Sequence, residues 1–267
     1  VRRVGIVIEL LARHSPRQYI ADHVTGNGGR QGRPALLTRG QRPVCFSPAS
    51  APAARQAGDM HRNVDLKVLY FGTPVVLIST RNLNGTANLA PMSSAWWLGD
   101  QCMLGMNTGS QTTINLLRER ECVLNLPSPE LAGAVDRLAL LTGASTMSAH
   151  KVEKGYRYEP DKFGAAGLTP SAADLVAAPL VAECPIQLEC ELVSAAPFNH
   201  GSSTAHTVRV LRSHADEQLI VPGTSHIDPR RWDPLIMKFC EFFGGGTQVR
   251  PSRLAEAWQI PPMAHTG

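Results

Sequence analysis

Residues 75–94, VVLISTRNLNGTANLAPMSS, followed after a linker by residues 112–127, TTINLLRERECVLNLP, decide the fold. Val75-Val76-Leu77-Ile78 is an apolar, β-branched run that fits a buried strand. Asn84-Gly85 supplies the positive-φ pair that tight hairpin turns require, so the chain is expected to reverse there. It returns through Thr86 to Ser94, small and polar residues where a core strand would carry bulk. Such a strand presents backbone N–H and C=O groups, hydroxyls and an amide to a flat ligand lying against it. Thr112 opens a short amphipathic helix, with Ile114, Leu116 and Leu117 expected inward and Arg118-Glu119-Arg120 outward. Thr112 reads either as its N-cap or as part of an anion site at the helix N-terminus. Cys122 to Leu126 is the next strand, ended by Pro127.

These residues carry a resemblance. Ser79-Thr80, Gly85, Asn88, Ala90-Pro91 and Ser93-Ser94, then Thr112 to Asn115 and Asn125, resemble the signature of the flavin reductase-like family. In words, that signature is a strand, "ST", a Gly turn, "N-x-A-P-x-S", "T-x-x-N" opening a helix, and a later Asn in a strand. The resemblance implies a mainly β fold with helices, a six-stranded antiparallel split β-barrel that binds FMN. It implies a flavin reductase that passes hydride from NADH or NADPH to bound FMN. It places Asn88, Ala90, Ser93 and Ser94 at the ring and ribityl chain, with Thr80 as a secondary candidate, and Thr112 and Asn115 near the phosphate. Relatives often carry a basic residue just before "T-x-x-N" to pair with phosphate. Here Ser110-Gln111 stands in that place, which is expected either to weaken phosphate affinity or to shift the pairing to Arg81 or Arg118. The resemblance also implies a homodimer with the flavin at the subunit interface, and an electron acceptor such as a monooxygenase. An electron-carrying flavoprotein of the flavoredoxin kind, and a non-catalytic flavin or deazaflavin module, are the alternative readings. No catalytic side chain is singled out, because hydride transfer between nicotinamide and flavin needs positioning rather than a strong acid or base.

Charge is unevenly distributed. The formal net charge is +4, but residues 1–59 hold nine Arg and three acids, which leaves −2 for the rest. That first segment is rich in Arg, Gly, Pro and Ala and is expected to be a disordered extension, upstream sequence from a start placed too early, with Met60 the start. A basic arm for nucleic acid or a transit peptide is the other reading of its composition. The body, residues 60–267, is expected to be the flavin-binding domain, in the cytoplasm, with neither nucleic acid nor membrane as partner. Val4 to Ala12 is too short to cross a bilayer. The six cysteines form no C-x-x-C pair and no zinc spacing, so they read as reduced thiols. No G-x-G-x-x-G, G-x-S-x-G, P-loop or H-E-x-x-H is present, and the histidines show no metal-ligand spacing, so no metal is expected.

Further along, CMLGM (102–106) reads as a buried strand and Leu131 to Gly143 as a helix. Lys154 to Pro170 reads as a polar loop. The resemblance makes that loop a lid beside the flavin, with Tyr156 and Phe163 either contacting substrate or packing. Ile186 to Leu192 and Thr204 to Leu211 alternate apolar and polar and are expected to pair as half-exposed strands. His226-Ile227-Asp228 resembles the family's terminal strand, Asp233 to Met237 its closing helix ended by Gly244 to Gly246, and Leu254 to Trp258 a packed tail.

Overall fold

The computed structural model describes residues 61–250 and 252–254. The expectations for residues 1–59, and most of the tail to Trp258, lie outside the described residues. The first strands are β1 (Phe71–Pro74), β2 (Val76–Arg81), β3 (Ala87–Met92), β4 (Ala95–Leu98) and β5 (Gln101–Asn107). Helix α1 (Gln111–Glu119), β6 (Glu121–Leu126), α2 (Ala132–Leu138), β7 (Leu141–Thr142), α3 (Ala149–Glu153), β8 (Arg157–Tyr158) and α4 (Lys162–Ala166) follow. Short strands β9 (Pro170–Ser171) and β10 (Leu180–Val181) lead to the long hairpin β11 (Ile186–Phe198) and β12 (Ser203–Ala215), and β13 (Ile236–Lys238) and β14 (Glu241–Phe243) come last.

The main sheet has seven strands, not six, in the order β3-β2-β6-β11-β12-β5-β4, antiparallel throughout. Its two outermost strands, β3 and β4, are consecutive in the chain and joined only by Ser93 and Ser94. In a flat sheet six inter-strand steps would separate them by roughly 29 Å, whereas the link from Met92 to Ala95 spans at most about 11 Å. The sheet therefore has to curl until its edges meet, which makes a barrel with one unzipped seam.

Two packed clusters follow from this curl. Val76, Ile78, Leu104, Met106, Leu124, Leu192 and Val208 fill one, with Leu116 of α1 inserted among them. Leu77 and Leu89 face the other, where Val135, Leu138, Phe163, Leu235 and Met237 cover the opposite side of the sheet. Strand β2 is thus buried on both faces, and this is why 75–78 reads as an uninterrupted apolar run. Cys102, Cys122, Cys184 and Cys190 are buried free thiols, and burial pushes the Cys102 thiol up to about 12.

Several expectations need correction. The N-cap of α1 is Ser110, whose hydroxyl accepts from the Thr113 amide, rather than Thr112. The helix also turns its polar side inward. Thr112, Thr113, Asn115 and Leu116 are buried, while Ile114 and Leu117 are both 46% exposed. The 131–143 helix stops at Leu138 and becomes β7, and the 154–170 loop contains β8 and α4. No helix forms at 233–237; its last two residues open strand β13, which pairs with β1 and β14, and the terminal strand is reduced to an Ile220–Ile227 bridge. Strands β11 and β12 pair as expected but run to 13 residues each. Among the described residues no helix is long and apolar enough to cross a membrane.

Candidate flavin site

The hairpin from β2 to β3 turns through Gly85 at φ 83° and puts Thr80 directly opposite Asn88. Helix α1 lies across these two strands and brings Thr112 and Asn115, one turn apart, onto the same spot. Asn88 Nδ2 donates to Thr80 Oγ1 at 3.2 Å and to Thr112 Oγ1 at 3.1 Å. Asn115 Nδ2 donates to Thr80 Oγ1 at 3.1 Å and to Asn82 Oδ1 at 2.8 Å. Gln111 Nε2 closes the circuit on Asn115 Oδ1 at 2.8 Å. Four residues named from the sequence therefore meet, but Thr80, Asn88, Thr112 and Asn115 are all under 5% exposed. They form an internal polar joint that fixes α1 to the hairpin, not an open ligand surface.

Of the other three, two open outward and one does not. Ala90 and Ser94 are half-buried, and Ser93 is buried with no partner for its hydroxyl. Because β3 is an edge of the sheet, alternate N–H and C=O groups along Ala87–Met92 have no ladder partner. Apart from Leu89, which is buried in the core, and Met92, its side chains are small, so a planar ring can approach that backbone closely. A second unpartnered buried atom, Asn88 Oδ1, faces Gly143, where a Cβ would stand 2.5 Å from it and 3.1 Å from Gln111 Cγ. These donors and acceptors, without a charged side chain among them, suit the polar edge of an isoalloxazine, and FMN fits the residues present.

Residues missed in the sequence complete the surroundings. Tyr70 hydroxyl and Ser94 Oγ are 3.1 Å apart, and burial raises the Tyr70 phenol while that bond lowers it. Gly143 and Gln111 wall the joint. Lys162, beside the N-capping Asp161, is buried and has no counter-ion among the described residues. Nothing local flags Tyr70 or Gly143, since both act through contacts distant in sequence. Lys162 had a signal, a lysine wedged between a cap residue and a core phenylalanine. The two arginines expected to take over phosphate pairing are differently placed. Arg81 is exposed, and Arg118 is committed to Glu119 at 2.7 Å, the Arg81 carbonyl at 2.6 Å and Asn115 Oδ1 at 3.2 Å. Phe163 is a core residue, so packing is its role. Asn125 pins β10, accepting from the Val181 amide at 2.8 Å and donating to the Leu77 carbonyl at 3.0 Å.

A third polar cluster, Asp174, Glu189 and His214, has metal-compatible side chains. Its ligand atoms are already engaged. Buried Glu189 accepts from the amides of Asp174, Leu175 and Val176 and from His214 Nε2, and Arg212 holds Asp174. In this arrangement it latches residues 174–176 to β11.

With this geometry in view, comparison with known proteins is decisive for the family. The profile of the "Flavin reductase like domain" matches residues 68–235. The chain belongs to the flavin reductase-like family. This family member is 38% identical over 189 residues to the protein YdfE of Bacillus subtilis (strain 168), covering 70% of this chain and 91% of YdfE. Its fold is that of the flavoredoxin of Desulfovibrio vulgaris (Miyazaki F), with a TM-score of 0.61, 19% identity, and coverage of 74% of this chain and 100% of that one. It is also similar to nitrilotriacetate monooxygenase component B from Bacillus cereus, with a TM-score of 0.56, 20% identity, and coverage of 68% and 88%. At these identities the solved structures speak for the split-barrel fold.

Proposed function

We propose that this flavin reductase-like protein is an FMN-dependent oxidoreductase in which NADH or NADPH delivers hydride to the bound flavin. The observation that carries the reading is β3, a small-residue edge strand with unpaired backbone groups, rooted in the Thr80–Asn88–Thr112–Asn115 joint. Bound FMN would supply the two-electron acceptor. What the chain contributes is placement. The joint holds β3 and the start of α1 rigid relative to each other, so groups along Ala90 to Ser94 keep a fixed spacing. Pre-set geometry of this kind lowers the barrier without any side chain changing protonation state, and no catalytic residue is assigned.

The same reading includes a second copy of the chain. Register places Trp96, Met103 and Thr207 in one row across β4, β5 and β12, and Gly105, Ala205 and Ala196 in the next row. Trp96 is 56% exposed and Phe198, packed over Gly105, is 47% exposed. This face carries small residues in its middle and aromatic ones at its margins. It is also continuous with Ser94, whose carbonyl accepts from the Gly105 amide at 2.9 Å. A homodimer through this face would cover the outer side of the flavin site. The onward acceptor is a monooxygenase or another electron-accepting partner.

The test is an absorbance spectrum of the purified protein with FMN, before and after anaerobic addition of NADH or NADPH. Flavin bands that bleach with either donor support the reductase. Bands that persist with both favour an electron carrier reduced by another protein, in keeping with the flavoredoxin fold. A protein that acquires no flavin bands overturns the assignment.

A further inference from the structure

Tyr70 lies outside the motif residues, yet its side chain reaches the link between β3 and β4. Its hydroxyl stands 3.1 Å from Ser94 Oγ, and its ring packs on the core cluster that holds Leu235 and Met237. Its carbonyl accepts from the Phe239 amide at 2.8 Å. Next to it, the Phe71 ring meets the Phe239 ring edge-on, with centroids 5.3 Å apart. Phe239 and Cys240 form the two-residue turn between β13 and β14, both at positive φ, 48° and 69°. Residues with a Cβ seldom adopt that conformation, and this turn keeps it while clasped to Tyr70 and Phe71. Tyr70 is thus fixed at both ends, by its backbone to the β13–β14 turn and by its phenol to Ser94.

Ser94 is equally well seated. Its carbonyl accepts from the Gly105 amide at 2.9 Å, and a Cβ at Gly105 would stand 3.4 Å from Ser94 Cβ. Among the described residues, Tyr70 is the one hydrogen-bond partner of the Ser94 hydroxyl. Only one of the two hydroxyls can donate to the other. The phenol is the more acidic and so the better donor, and burial raises it above its ordinary value, so it keeps its proton. Tyr70 therefore donates and Ser94 accepts. That leaves the Ser94 hydrogen free for an acceptor outside the pair, from a half-buried position on the seam. A hydroxyl whose oxygen is already engaged also donates more strongly, because hydrogen bonds in a chain polarise one another.

We propose that Tyr70 is a positioning residue that, through Ser94, aims an O–H donor at the polar edge of the flavin ring and favours the reduced flavin. The proposal rests on the flavin reading above. Reduction adds electron density to that edge, so a donor fixed in advance holds reduced flavin more tightly than oxidised flavin. The test measures the midpoint potential of FMN on the full chain by spectroelectrochemical titration, and the affinity for oxidised FMN by fluorescence quenching. Tyr70→Phe keeps the ring and removes the hydroxyl. It is expected to cut the preference for reduced over oxidised flavin about tenfold, a fall of about 30 mV in the two-electron potential. Ser94→Ala should lower the potential at least as far, the double variant should go no lower than Ser94→Ala alone, and Ser94→Thr should restore the wild-type value. Equal potentials in wild type and Tyr70→Phe overturn the proposal and leave the flavin reading standing. So does an equal loss of affinity for oxidised and reduced FMN, which would make Tyr70 a packing residue. Additive shifts from Tyr70→Phe and Ser94→Ala would show that the two hydroxyls act separately and overturn the route through Ser94. A wild type that takes up no FMN overturns the flavin reading and the proposal together.

Discussion

Thr80 shows how a motif residue works through its neighbours. Its hydroxyl oxygen accepts from both Asn88 and Asn115, so one atom joins the hairpin to α1. Thr80→Val keeps the shape and removes one of the two hydrogen bonds donated by each of two buried amides, a loss of about 1–3 kcal/mol. Urea unfolding should show that loss, and flavin affinity should fall with it because β3 is no longer fixed. The meeting of these residues was legible in the sequence only in part. An i, i+3 spacing puts Thr112 and Asn115 on one side of a helix, whereas a two-residue Asn84-Gly85 turn would oppose Thr80 to Leu89. The turn is longer, with Gly85 but not Asn84 at positive φ, and that register opposes Thr80 to Asn88. Their burial was not legible, because local polarity suggests exposure and only the packing of α1 reverses it. His206 is another such case. It stands fully buried, and desolvation depresses its imidazole despite the nearby Leu104 and Thr204 carbonyls. A base whose folded-state pKa is depressed binds its proton first in the unfolded chain, so stability falls as pH drops through about 6.5. The melting temperature between pH 7.5 and 5.5 should fall less steeply in His206→Leu than in the wild type.

At the scale of elements, the segment leading into β10 has little secondary structure of its own and is held by two carboxylates, Glu189 at the amides of residues 174–176 and Glu121 at the Ala177 amide. Burial alone raises the Glu189 carboxyl, but His214 and the amides of Leu175, Asp174 and Val176 outweigh it and hold it below the ordinary range. A depressed acid stabilises the fold above its unfolded pKa, and that contribution is lost as pH falls through the folded value. Glu189→Gln should cost about 2–4 kcal/mol near neutral pH, since amides that met a charge now meet a weaker acceptor. The difference from wild type should shrink below pH 4, and hydrogen exchange at 174–176 should accelerate well before global unfolding. Alternating patterns revealed β11 and β12, but nothing revealed the latch between them and residues 174–176. The 233–237 stretch failed as a helix for a related reason. The Val75 amide binds the Leu235 carbonyl and the Leu235 amide binds the Pro127 carbonyl, each at 3.0 Å or less, so neighbouring chain draws the segment into extended form. Tertiary partners of this sort outweigh a weak local propensity.

For the whole molecule, closure of the barrel and the proposed pairing of two copies are one problem. The seam between β3 and β4 leaves two sheet edges, and exposed edges invite pairing or need cover. The Ser93-Ser94 link brings those edges together and places the candidate site at the seam, beside the face bearing Trp96, Gly105, Ala196 and Phe198. A second copy seated on that face would shield both the apolar surface and the open side of the flavin. Ala196→Arg sets a charge in the middle of the face without touching the core, because Ala196 is exposed. The variant is expected to keep the wild-type melting profile in the absence of ligand, to sediment as a monomer where the wild type sediments as a dimer, and to bind FMN at least tenfold more weakly. Weak flavin binding with the dimer intact would place the effect of Ala196 within one subunit. A monomeric variant with undiminished flavin affinity would show that each barrel holds its cofactor alone, and the partner copy would then have no part in the site.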